Sequence, residues 1–178
     1  MSHTPKRDAT RAAAEHEAAV QEFLATARAV PEREWERPVA RGKWSPAQIA
    51  EHLRLTYAVA QNELAGGSGV KVRTSWLLRT FLRWRILPRI LKTGKLPEGA
   101  RATREIRPGD GPFDREQLLS ALATSARNAE ASIVRHWDDR PIHLTHHIFG
   151  GLDAATTMRF ATVHTRHHAR QIAERASG

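Results

Sequence analysis

Three histidines fall within five residues near the C-terminus, in His164-Thr165-Arg166-His167-His168-Ala169-Arg170-Gln171. The stretch reads as helix. At about 100° per residue, His164 and His168 lie about 40° apart on one face and one turn apart along the axis. Two imidazoles at that spacing can converge on a single divalent cation, as in other helical His-x-x-x-His sites. The idea requires at least one more ligand from elsewhere in the chain.

His52 is the candidate third ligand. It sits three residues after Ile49 and one before Leu53, at the edge of a core-facing stripe. An imidazole there needs a partner, because burying a polar group without one costs on the order of 2 kcal/mol. A metal shared with His164 and His168 would supply it, and so would a backbone carbonyl. His167, about 60° from His164 on the helical wheel, could replace its neighbour as ligand, support it, or act as an acid or base at the site mouth. Gln171, one turn beyond His168, could hold an imidazole tautomer by a hydrogen bond or simply face solvent. His143, His146 and His147 lie in the connection 141–151 and read as surface or loop-packing residues. His3, His16 and His136 have no context that raises them above background.

Four long helical patterns must position these groups. The first spans about Asp8 to Ala29, with Val20, Phe23, Leu24 and Ala27 as its stripe, and the polar stretch from Pro31 ends it. The second begins at Ser45-Pro46-Ala47-Gln48, where an N-cap serine, a first-turn proline and a capping-box glutamine coincide. Gly66-Gly67-Ser68-Gly69 stops it. The third opens with Asp114-Arg115-Glu116-Gln117 and runs to about Trp137. The fourth runs from near Asp153 to Ser177-Gly178. Nothing alternates with the period of a strand. The expected fold is all-α, a four-helix bundle in a single domain over 1–178. Between its second and third helices lies a long insert, about 66–112, with a shorter helix from Ser75 to about Leu87 that ends before Pro88.

The chain has no cysteine, which excludes disulfides, thiolate metal sites and cysteine nucleophiles. Its formal charge of +9 is localised. Residues 70–107 hold eleven Lys/Arg and two Asp/Glu, and the remainder is balanced. Met1 to Arg11 is polar, and no uncharged apolar run is long enough to span a bilayer. A cytoplasmic location is the default expectation.

Gly42-Lys43-Trp44-Ser45-Pro46-Ala47-Gln48-Ile49-Ala50-Glu51-His52-Leu53 resembles the Trp-Ser-x-x-x-x-x-x-His-Leu signature of the DinB/YfiT-like superfamily. His164 to Ile172 is similar to its C-terminal His-x-x-x-His-x-x-Gln element, and Phe149-Gly150 resembles a turn of one branch. The order and separation of these motifs extend the resemblance over nearly the whole chain. It implies a four-helix bundle with a divalent cation, commonly nickel or zinc, held by His52, His164 and His168. Members include thiol-dependent S-transferases and isomerases that use low-molecular-weight thiols, and metal-dependent hydrolases. Many members carry Arg-Gly-Gln after the last histidine, where this chain has Ala169-Arg170-Gln171.

Three neutral imidazoles would leave a divalent cation with open positions, the arrangement of a catalytic site. Hydrolysis and thiol transfer both use the nucleophile such a cation generates, so the ligands alone do not separate them. Glu51 and His167 are the candidates for a general base. The substrate expected is a small molecule, anionic or a thiol. The insert carries a rival reading as a non-catalytic binding module. Trp76, Leu77, Leu78, Phe81, Leu82, Trp84, Ile86 and Leu87 alternate there with Arg79, Arg83, Arg85 and Arg89. Such a helix could meet an anionic membrane or nucleic acid, pack on the bundle, or form a homodimer contact.

Overall fold

A computed structural model describes residues 5–38, 40, 42–97, 101–138 and 143–176. His3, Ser177 and Gly178 lie outside them, as do parts of the Lys95–Gly99 loop and the start of the 141–151 connection. Four long helices form the bundle: α1 (Pro5–Arg28), α3 (Pro46–Leu64), α5 (Arg115–Arg135) and α6 (Ala154–Ala176). A four-residue helix, α2 (Glu32–Trp35), follows α1, and α4 (Trp76–Thr93) lies in the insert.

Caps set where the bundle helices begin. The Ser45 side chain accepts from the Gln48 N–H while the Gln48 side chain accepts from the Ser45 N–H, a reciprocal box with Pro46 in the first turn. Asp114 accepts from the Gln117 N–H at 2.7 Å, and Asp153 accepts from the Thr156 N–H at 2.7 Å. From these starts, apolar residues recur every three or four positions. Phe23, Leu53, Leu119, Leu122 and Ile172 are fully enclosed in one core. Each contributes about 1.5–3 kcal/mol by leaving water. Trp35, in the stretch read as polar, joins that core and donates its indole N–H to the Phe113 carbonyl.

Around the bundle, α1 packs against α5 and α6, and α3 packs against α5. The α3–α6 side is the open one, with few close backbone approaches. The insert and a hairpin fill it. Strands β1 (Leu144–His146) and β2 (Gly150–Leu152) pair antiparallel, Leu144 opposite Leu152. With three residues each, they are too short to show a period of two. Gly150 has a φ of +69°, and a Cβ there would strike the Arg79 side chain.

The α4 helix runs through Pro88, contrary to the expected stop at Leu87. Pro88 is exposed, so the carbonyl that loses its intrahelical donor faces water. On the opposite side, Leu87 and Ile90 bury themselves against Phe149 and Leu152, and that packing carries the helix on to Gly94. Hydrogen bonds clip the insert in place. The Arg73 N–H donates to the His147 carbonyl, Thr74 to that of Ile148, Arg83 to that of Gly151, and Arg170 to that of Gly94.

Candidate metal centre

His52 projects from the second turn of the capped helix α3, while His164 and His168 project from one face of α6. Across the open side of the bundle, the Nε2 of His164 lies 3.4 Å from the Nε2 of His52 and 3.0 Å from that of His168. One ligand atom from each of the three residues falls within 4.8 Å of the others.

Hydrogen bonds at the other ring nitrogen decide what those Nε2 atoms can do. The Nδ1–H of His52 donates to the Ile106 carbonyl at 2.7 Å, and the Nδ1–H of His168 donates to Oε1 of Gln171 at 2.8 Å. With the proton at Nδ1, each Nε2 presents a lone pair. The two partners considered for His52, a carbonyl and a shared cation, are thus compatible: the carbonyl takes Nδ1 and leaves Nε2 for a cation. Trp44 lies against the His52 ring at a centroid distance of 4.9 Å.

The electrostatics favour the neutral form of His52 and His164. Burial is the main force lowering the His52 pKa, opposed by the Ile106 hydrogen bond. His164 is driven well below the usual range by burial and then by His168, His52, His146 and His167. Neutral imidazole is the metal-ligating form.

The donor set fits a divalent cation. At bond lengths of about 2.0–2.1 Å, two nitrogens stand about 3.3–3.4 Å apart in a tetrahedron and about 2.9 Å apart at right angles. The observed 3.0 and 3.4 Å fall in that range. All three histidines line a cavity of about 1230 Å³, so one side of the group is open.

A family model of the DinB superfamily matches residues 15–172. The chain belongs to the DinB superfamily. No curated protein and no solved structure matches it. The match takes in both histidine motifs, and the helical architecture agrees with the expected all-α fold.

Other nominated residues divide in this DinB-superfamily protein. His167 lines the cavity, edge-on to the His168 ring at 5.2 Å. Gln171 meets His168 as described. Glu51 is not brought to the group. Both of its carboxylate oxygens accept from the Arg54 guanidinium, at 2.6 and 2.7 Å, and it does not line the cavity. Adjacent helical residues diverge by about 100°, and the arginine one turn away captures the carboxylate.

Two histidines read as surface, loop-packing or background carry more than that: His146 packs in its loop and also lines the cavity, and His16 is buried. His146 stacks on Phe149 and meets Phe160 edge-on, both at 4.7 Å, and Phe160 in turn stacks on His164. Its Nδ1 accepts from the backbone N–H groups of Ile148 and Phe149 at 3.2 and 3.3 Å, which puts the ring proton on Nε2. Burial lowers its pKa to about 3, and His147 adds to the shift. The three-residue spacing from His143 held no hint of this, because the hairpin itself was illegible. His16 is fully buried, with Nδ1 2.7 Å from Glu130 and Nε2 2.8 Å from the Tyr57 hydroxyl, which lies 2.6 Å from Thr165 Oγ1. That chain joins all four bundle helices. Its signal was present: His16 precedes Ala19, Val20, Phe23 and Leu24 at helical spacing on the buried face.

Proposed function

We propose that this protein is a metal-dependent enzyme, of the hydrolase or thiol S-transferase type, acting on a small molecule in the cavity beside His52, His164 and His168. The observation that carries the reading is the pair of Nδ1 hydrogen bonds on His52 and His168. They aim two lone pairs at the Nε2 of His164, on the open side of the bundle. A bound nickel or zinc ion would act as a Lewis acid, making water or a thiol a competent nucleophile near neutral pH.

The chain's own residues do the rest. Gln171 and the Ile106 carbonyl orient the ligand rings. His167, at the cavity wall beside His168, moves the proton. His146 stays neutral, so it serves as a hydrogen-bond donor rather than a base. Its Nε2–H meets no protein acceptor among the described residues and is available to a carbonyl or carboxylate oxygen of the substrate. Lys43, Lys95, Arg101, Arg107 and Arg170 line the cavity against Glu63, Glu130 and Glu174, an excess of positive charge that favours an anionic substrate.

The test has two parts. Protein purified without a histidine tag is assayed for bound metal beside a His52→Ala variant, and equal content in the two would end the three-ligand reading. The metal-loaded protein is then offered activated esters and amides, and electrophiles with low-molecular-weight thiols. Turnover lost on chelation and on His164→Ala supports an enzyme. Stoichiometric metal with no turnover in either assay would point instead to a metal-stabilised binding module.

A further inference from the structure

We infer that the outer face of α4 docks on the surface of an anionic phospholipid bilayer. Among the described residues, every exposed large hydrophobic residue lies between 72 and 84: Val72, Trp76, Leu77, Leu78, Phe81 and Trp84. Trp84 is 75% exposed and Leu77 63%. On the helical wheel, Leu77, Phe81 and Trp84 fall within about 60° of one another, on the side away from Ile86 and Ile90. Packing on the bundle therefore accounts for the inner face, Leu87 and Ile90, and leaves a second apolar stripe that the described residues leave exposed.

Charge selects the occupant. Residues 70–97 contain eight Lys/Arg and no Asp/Glu. Arg83 is engaged with the Gly151 carbonyl, but the exposed Arg85, Arg89 and Lys92 lie along one side of the outer stripe, with Arg85 5.8 Å from the Trp84 ring. A second copy packed about a two-fold axis would set these cations against their own kind with no acid to offset them. A nucleic acid would match the charge and could stack on the tryptophans, but it offers nothing apolar to Leu77 and Leu78. An anionic bilayer answers both features. Its acyl boundary takes Leu77 and Phe81, the headgroup layer suits Trp76 and Trp84, and the cations reach the phosphates. Among the described residues no helix is long and apolar enough to cross a membrane, so the contact proposed is one of lying on the surface.

The test uses the full chain and vesicle flotation, and is independent of metal content or turnover. Binding is expected to vesicles of equal parts phosphatidylglycerol and phosphatidylcholine, and not to phosphatidylcholine alone, and it weakens as salt is raised. Replacing Leu77, Phe81 and Trp84 with Ser abolishes it while circular dichroism stays unchanged, because these side chains are already exposed. Arg85→Gln, Arg89→Gln and Lys92→Gln together reduce partitioning on the order of a hundredfold, each cation giving about a factor of five. The inference is overturned by absence of binding to the anionic vesicles at low salt, or by equal binding of the Ser variant. It is also overturned if sedimentation shows a dimer that the Ser variant dissociates, or if DNA is bound in preference to the vesicles.

Discussion

Oε1 of Gln171 stands 2.8 Å from Nδ1 of His168, one helical turn away, and that contact determines which nitrogen of the imidazole faces His164. Gln171→Leu removes the acceptor without touching a ligand. The expected result is a 10- to 100-fold loss of affinity for nickel or zinc by calorimetric titration, about the usual effect of losing such a partner. Unchanged affinity would mean that the packing of α6 alone orients the ring.

Metal should also stabilise the fold. A ligand at about 100 times its dissociation constant adds about 2.7 kcal/mol to unfolding. Thermal unfolding of the chelated wild-type chain should therefore shift upward on adding metal. His52→Ala, His164→Ala and His168→Ala should each lose most of that shift. A full shift in any of them would remove that residue from the ligand set.

The chain of Glu130, His16, Tyr57 and Thr165 predicts a stability effect unconnected with metal. Tyr57→Phe leaves the Nε2 of buried His16 and the hydroxyl of buried Thr165 without this partner. A cost of about 1–3 kcal/mol in urea unfolding is expected for each group left unsatisfied. A neutral outcome would show that water takes the place of the phenol.

His146 makes stability depend on pH. Its native pKa of about 3 lies below the 6.5 of an unperturbed histidine. Between these values the unfolded chain binds a proton that the native chain does not, so stability rises with pH through that window and levels above about 6.5. The slope is about 1.4 kcal/mol per pH unit for this one proton. Urea unfolding of chelated protein at several pH values should show it, and His146→Phe should flatten the profile by about one proton. An unaltered slope in the variant would place the titration elsewhere.

The bundle and the three-histidine group were legible because each left a local mark. Ser45 and Gln48 announce a helix start within four residues, and that start sets which way His52 faces; four residues between His164 and His168 suffice to align two rings. What escaped depended on distant partners. Pro88 stays helical because Phe149 and Leu152, some sixty residues on, hold Leu87 and Ile90. The hairpin shares that origin, being clipped by the backbone at Arg73 and the side chains of Thr74 and Arg83. Glu51 is the exception, lost to a near neighbour: Arg54, three residues on, takes its carboxylate. His146 reaches the cavity only through the pairing of Leu144 with Leu152.

Helix α4 separates the cavity from the exterior by the thickness of one helix. Leu82, Ile86 and Ile90 line the chamber, while Leu77, Phe81 and Trp84 face outward. A coupling between the two sides would thus run through this one helix rather than through the bundle core. If the outer contact favours one setting of this wall, it changes the affinity of a cavity ligand by some factor, and the ligand changes the outer contact by the same factor. The partition is a lever with an arm on each side.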